Sequence, residues 1–244
     1  MDIIEKALVK ELDLPIYENY KKLHTEEKAR KWIFQDSIEK QYEYGFSNLT
    51  TLYRLSDSNR QLILLKKWPK QETSKDLAEF FIRVSATLTG FFLSLGAVFD
   101  SVAQEINILF NNGSIDDRNT YFTSRYFKTI KTLPSKLKGT IDNIINKEKW
   151  FDEINEYRNR LAHRSILPQS LKDIYPLRVS LLRADLPFKK TINVHLKKTE
   201  YKISDLCPHG DDISTQCDFY FKKTKEAIKE IWEILYEHLK EKTL

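Results

Sequence analysis

The sequence contains little cysteine, glycine or proline, and each shortage excludes a class of protein. Only two of its 244 residues are cysteine, which is too few for a disulfide-stabilised scaffold. Six glycines and seven prolines are too few for an all-β fold with many tight turns, or for a low-complexity chain. The first residues show no basic segment followed by an apolar one, so we expect no secretory signal, and the low cysteine content favours a cytoplasmic protein.

Apolar and charged residues, in contrast, are both plentiful. Hydrophobic residues make up 41% of the chain and aromatic residues 12%, which is enough to build a core and excludes intrinsic disorder. Forty basic and 35 acidic side chains give a net charge of +5, which is compatible with a partner that carries phosphates. The length corresponds to one or two domains.

Apolar residues recur at helical spacing along most of the chain, so we expect an all-α fold. Pro15 and Pro69 are expected to end the first and third helices, and Thr25 to cap the start of the second. A turn is predicted at residues 111–114, where two asparagines precede a glycine. The predicted helices cover residues 2–12, 25–44, 58–68, 73–110, 116–130, 134–145, 147–164 and 211–240.

One region has the alternating pattern of β-strands instead. Apolar residues alternate at 177–181 and again at 192–196, with a loop around Pro187 between them. This predicts a small β-hairpin inserted between helices at about residues 176–206. A boundary near Pro69 would divide the chain into a helical lead-in, residues 1–70, packed on the core, and a main helical domain, residues 71–244.

The longest predicted helix has two notable features. Its sixteen residues from Val84 to Phe99 carry no charge, but serine, threonine and glycine dilute them, so we expect a buried core helix and no membrane span. Small residues also lie along one side of the helix, which predicts close approach of another helix. These small residues are Ala86, Gly90, Ser94, Ala97 and Ser101.

The segment 150–165 contains the residues most typical of chemistry. Trp150, Phe151, Ile154, Tyr157 and Leu161 would form one apolar stripe on a helix, and Arg158 falls within it. Because a buried guanidinium is costly unless it is paired, we expect Arg158 to pair with an acid on the long helix. Glu105 is the first choice, because it extends the small-residue side, and Asp100 is the alternative.

The same segment places two further polar residues away from this stripe. Asn159 and His163 are four residues apart and share the opposite face. Arg158 and His163 are five residues apart, so they point about 140° away from each other on an ideal helix. Joint action would need a distorted helix, a long reach of the arginine, or a second copy of the site, and we expect a homodimer.

The series Arg158-Asn159-x3-His163 resembles the motif of HEPN-domain proteins, helical domains common in bacterial toxin and antiphage systems. The resemblance implies a HEPN-like helical bundle, a homodimer and a metal-independent endoribonuclease without a cofactor. His163 would transfer protons or position the ribose 2′-hydroxyl, Arg158 would stabilise phosphate charge, and Asn159 and Arg160 would support the site. It also implies RNA as substrate, and an antitoxin or another defence protein as partner.

Other interpretations of these residues stay open. The fold also occurs in non-catalytic RNA-binding or protein-interaction modules, and Arg158 could be a purely structural ion-pair residue. Cys207, His209 and Cys217 offer three zinc ligands, but their spacing matches no common site, so we expect no metal. If the hairpin brings two lysine pairs together, they would form a phosphate-binding patch. These pairs are Lys189 with Lys190 and Lys197 with Lys198.

Overall fold

The structure is a computed structural model, and its described part is predominantly α-helical, as the periodicity predicts. It describes residues 2–25, 27, 31, 34, 35, 37–71, 77–111, 113–115, 119–164, 169–174, 177–181, 209 and 212–243. The elements are α1 (Asp2–Leu12), α2 (Ile16–Thr25), α3 (Ile38–Gln71), α4 (Leu77–Asn111), α5 (Ser124–Phe127), α6 (Ser135–Lys147), α7 (Lys149–Arg164), β1 (Gln169–Ile174), β2 (Leu177–Leu181) and α8 (Ile213–Thr243).

Several helices end where the sequence predicts. Helix α1 has the predicted bounds, and Pro15 separates it from α2. Helix α4 ends at Asn111, and Gly113 follows with φ +66°, a left-handed conformation that glycine adopts without strain. The Gly113 amide donates to the Asn107 carbonyl over 3.1 Å, which closes the end of the helix.

The bounds predicted for the second and third helices are wrong, although α3 contains residues 38–44 and 58–68. Thr25 ends α2 instead of capping a helix, and α3 runs unbroken through residues 45–57 and past Pro69. Packing explains this continuity, because Leu52 and Leu55 lie inside the segment 45–57 and are completely buried. Hydroxyl groups in this segment bond within the helix: Thr50 donates to the Phe46 carbonyl over 2.8 Å, and Ser47 donates to the Glu43 carbonyl over 3.0 Å.

The helix predicted at 116–130 is also wrong. Of its described residues, only those of α5 form an α-helix. Thr123 caps α5 by accepting from the Tyr126 amide at 3.3 Å. Phe122, just before this cap, packs on Phe99 with ring centroids 5.0 Å apart. Tertiary packing of the aromatic side chain therefore competes with helix formation in this segment.

The strand predicted at 177–181 is present as β2, but its described partner is β1. The two strands are antiparallel, with Gln169 opposite Leu181 and an irregularity between Leu171 and Asp173. Only two residues separate β1 from β2, so closing this hairpin costs less chain entropy than closing the predicted one. The predicted partner at 192–196 and the loop at Pro187 lie outside the described residues.

The chain forms two compact units, and their limits do not follow the predicted boundary near residue 70. Unit 1 comprises residues 1–56, 97–148 and 224–244, and unit 2 comprises residues 57–96 and 149–223. Each unit therefore contains segments from both sides of residue 70. The division into a lead-in, residues 1–70, and a main helical domain, residues 71–244, stays a prediction.

The small residues of α4 pack closely against α3 within unit 2, as predicted. A Cβ atom placed on Gly90 would lie 3.1 Å from the Gln61 side-chain nitrogen, and Ser94 Oγ donates to Asp57 Oδ2 over 2.5 Å. The missing side chain at Gly90 and the small one at Ser94 thus allow α3 to approach the backbone of α4.

By length and composition alone, helix α4 is also long and apolar enough to cross a membrane. Its residues Ile82–Asn111 have a mean hydropathy of 1.6, and 56% of the most apolar window is buried inside the protein. Phe91, Phe92 and Leu95 are completely buried. A core helix shows the same combination of length and composition, so the cytoplasmic location stays a prediction.

Candidate functional site

Helix α7 presents its residues as the helical pattern predicts. Trp150, Phe151, Ile154, Tyr157 and Leu161 are all buried, which confirms the apolar stripe. Asn159 is exposed on the other side, and Arg158 and Arg160 are half-buried. The burial of these five apolar residues fixes the orientation of α7. It therefore also fixes the sides of the helix from which Arg158 and Asn159 project.

Arg158 lies directly against Gly96 of α4. A Cβ atom on Gly96 would lie 2.5 Å from Arg158 Cδ, 3.2 Å from Nε and 3.3 Å from one terminal nitrogen. Real Cβ atoms are not found this close to other atoms, so the arginine occupies space that only glycine leaves open. Gly96 is therefore a functional candidate that the sequence interpretation missed. The sequence feature that could have identified it is a glycine inside a long predicted helix, because glycine there lowers helix stability by about 1 kcal/mol relative to alanine.

A second polar cluster surrounds Glu153 of α7. Its Oε2 atom is 2.6 Å from His209 Nε2 and accepts from the Tyr220 hydroxyl over 2.9 Å. The imidazole stacks on Phe219, with ring centroids 4.0 Å apart and an interplanar angle of 11°. Burial raises the pKa of Tyr220 well above its usual value, and Tyr157 and Glu153 add to the increase.

This geometry holds the His209 ring in one position and selects which nitrogen faces the carboxylate. Glu153 and His209 are 56 residues apart, so no local spacing could reveal the pair. His209 is held by a carboxylate and an aromatic ring, whereas the sequence suggested it only as a zinc ligand. Cys207, from the same set, lies outside the described residues. Cys217 is buried in unit 2, and burial raises the pKa of its thiol.

The other predicted site residues are only partly placed. The His163 backbone lies in the last turn of α7, and its side chain lies outside the described residues. The four lysines of the predicted phosphate-binding patch also lie outside them. These are Lys189, Lys190, Lys197 and Lys198.

Glu105 belongs to unit 1 and is completely buried. Thr51 Oγ1 donates to one carboxyl oxygen over 2.8 Å, and Trp232 Nε1 donates to the other over 3.0 Å. Burial raises the pKa of Glu105 to about 7, against the opposing effect of these two hydrogen bonds. Arg158 belongs to unit 2, so its pairing with Glu105 stays a prediction.

Asp100, the alternative partner, is half-buried in unit 1 and accepts from the Phe122 amide over 3.4 Å. Its role beside Arg158 also stays a prediction. No family model matches the sequence, and no curated protein or solved structure is significantly similar to it.

Proposed function

We propose that this chain is a HEPN-type, metal-independent endoribonuclease of a bacterial defence or toxin-like system. The close contact of Arg158 with Gly96 is the observation that carries the proposal. Arg158, the arginine of the motif, lies against α4 at Gly96, where the helix has no side chain, and the next residue, Asn159, is exposed. Such positioning supports a functional arginine, because a solvated surface side chain needs no glycine beneath it.

The proposed reaction is an attack of the ribose 2′-oxygen on the adjacent phosphorus. The bond from phosphorus to the 5′-oxygen breaks, which leaves a 2′,3′-cyclic phosphate and a 5′-hydroxyl. The proton of the 2′-hydroxyl passes to a base, and an acid returns a proton to the departing 5′-oxygen. His163 would serve in this proton transfer. Arg158 would stabilise the charge that develops on the phosphate, and Asn159 would position the RNA.

Two copies of the motif would share this work in a homodimer with α7 at or beside the two-fold axis. On a regular helix Arg158 and His163 diverge by about 140°, so a partner supplies the missing group more easily than the same helix does. Two guanidinium groups and two imidazoles would then provide both the charge stabilisation and the proton transfer.

The decisive experiment is cleavage of single-stranded RNA by purified protein in the presence of EDTA. We expect products with a 2′,3′-cyclic phosphate, and no cleavage of DNA, which lacks the attacking hydroxyl. His163→Ala should reduce the rate about 10²–10⁴-fold, the usual contribution of a general acid or base. Glu18→Ala changes an exposed residue of α2 and should cleave like the wild type.

Two results would argue against the proposal. Activity that survives in His163→Ala points to a contaminating nuclease or to a different site. Absence of cleavage across a broad RNA panel favours the alternative, a non-catalytic RNA-binding or protein-interaction module with the same fold. Arg158→Ala should also abolish cleavage, and its free energy of unfolding has to be measured alongside because Arg158 packs on α4.

A further inference from the structure

A cavity of about 300 Å³ lies between α1 and α2, within unit 1. Glu5, Lys6 and Val9 line it from one side of α1, because residues one and four positions apart share a helix face. Val9 and Tyr17 are both buried and give the cavity an apolar wall. Cavities that bind small molecules usually measure about 300–1,000 Å³, so this one has room for a small ligand.

An ion pair forms another part of the cavity wall. The Glu5 side chain, 5% exposed, pairs with the Lys21 ammonium of α2, which is 28% exposed. Tyr17 Oη also donates to Glu5 Oε1 over 3.4 Å. A buried ion pair often contributes no more stability than well-packed apolar residues of the same size, because both charges lose their hydration. Packing alone therefore does not explain these charges, whereas a binding cavity needs a few polar groups in fixed positions.

Ammonium groups outnumber carboxylates around the cavity. Lys6 of α1 and Lys21 and Lys22 of α2 line it, together with the carboxylates of Glu5 and Glu18. Three positive against two negative charges leave a net charge of +1. Lys6 and Lys22 are both exposed, so their long side chains can turn towards a bound ligand. In a cavity that is partly shielded from water, this excess favours an anion over a cation.

We propose that this cavity binds a small organic anion, which has an apolar body and a single phosphate or carboxylate group. The apolar body contacts Val9 and Tyr17, and the anionic group lies beside Lys6, Lys21 and Lys22. The proposal rests on α1 and α2 alone and does not depend on the proposed ribonuclease activity.

Titration of the full chain with phenyl phosphate tests the site, followed by ¹H–¹⁵N NMR at about 150 mM salt. We expect amide shifts concentrated in α1 and α2, with a dissociation constant of about 1 mM or tighter. Phenol lacks the charge and inorganic phosphate lacks the apolar body, so each should bind at least about tenfold more weakly. Benzoate in a parallel titration distinguishes the two anionic groups, and the tighter of the two ligands identifies the preferred one.

Substitutions around the cavity test the charges and the space separately. Lys6→Gln and Lys22→Gln should each weaken binding about tenfold, because each removes a positive charge beside the anionic group. Lys10→Gln is the matched control, since Lys10 is exposed on α1 and does not line the cavity. It should bind like the wild type. Val9→Phe fills the cavity and should abolish binding, while amide shifts outside α1 and α2 confirm that the variant is folded.

Four results would overturn the proposal. The first is the absence of any saturable shift with both phenyl phosphate and benzoate. The second is a set of shifts that lies outside α1 and α2. The third is phenol binding as tightly as phenyl phosphate, which would show that the charge is not recognised. The last is equal binding by Lys6→Gln and Lys10→Gln.

Discussion

At the scale of single residues, Glu105 shows how the interior of unit 1 accommodates a carboxyl group. Its two oxygens accept from a hydroxyl and an indole, both neutral donors. Neutral donors stabilise a carboxylate less than a cation does, so burial dominates and the pKa rises to about 7. Tyr17, Tyr20 and Tyr44 lie in the same interior, and burial raises the pKa of each hydroxyl as well.

This environment predicts that Glu105→Gln stabilises the protein above neutral pH. In the unfolded chain the glutamate loses its proton near pH 4.5, and in the folded chain near pH 7. Between these values the folded state holds the extra proton, so wild-type stability falls as pH rises, by about 3 kcal/mol in total. A glutamine stays neutral throughout, and its amide can donate to Thr51 while the Thr51 hydroxyl donates to the Ser47 carbonyl.

Urea unfolding from pH 4.5 to 8 measures this difference. The two curves should agree near pH 4.5 and diverge towards pH 8, where the variant is the more stable protein. Glu79→Gln, at an exposed position, should follow the wild type. A Glu105→Gln protein that is less stable at pH 8 would instead support the predicted ion pair with a cation, since losing one partner of a buried pair costs about 3–5 kcal/mol.

At the scale of elements, the contact between α4 and α7 depends on the missing side chain at Gly96. An alanine in a helix is about 1 kcal/mol more favourable than a glycine, so Gly96 is expensive for α4 considered alone. The space that it leaves is occupied by Arg158. The presence of Gly96 is therefore explained by the contact with α7, and not by the stability of α4 itself.

We therefore expect Gly96→Ala to give no gain in stability while Arg158 is present, because the arginine has to move away. In an Arg158→Ala background the same change should stabilise by about 1 kcal/mol, which gives a coupling of about that size in a double-mutant cycle. Gly45→Ala is the control, because no atom lies within 4 Å of its added Cβ. It should stabilise equally in both backgrounds.

Equal gains from Gly96→Ala in the two backgrounds would contradict the contact. If the proposed function holds, Gly96→Ala should also slow RNA cleavage, because it displaces the arginine that faces the phosphate. Gly45→Ala should leave cleavage unchanged.

At the scale of the whole molecule, the first two helices are part of the core of unit 1. The Tyr17 ring lies 5.1 Å from that of Trp232 and the Tyr20 ring 6.1 Å, near the middle of α8. Leu8, Leu12 and Leu14 are buried as well. The lead-in therefore covers residues that the rest of the chain cannot cover by itself.

We expect the fragment 71–244 to lose native packing around Trp232. It should bind the dye ANS and lose near-ultraviolet circular dichroism, because the aromatic interior of unit 1 would be exposed to water. Co-expression of residues 1–70 as a separate chain should restore both signals, since the cut then falls at the end of α3. A fragment that unfolds at the same temperature as the full chain would show that residues 71–244 are an independent domain.

The sequence alone determined the elements whose signals are local. The helical periods of α1, α4, α6, α7 and α8 are visible within single segments, because a helix that buries one face must repeat its apolar residues every three to four positions. The same period places Arg158 beside an apolar stripe and Asn159 in solvent. The resemblance of this motif to HEPN proteins, and the activity that it implies, stay predictions.

Tertiary structure decided whatever depends on distant partners. The unbroken α3 depends on packing, since Leu52 and Leu55 inside it are completely buried, and β2 took β1 as its described partner. The donors of Glu105 lie 54 and 127 residues away along the chain, and His209 lies 56 residues from Glu153. Such contacts produce no repeating pattern in the sequence, because a buried polar group can bond to any suitable group that the fold brings close to it.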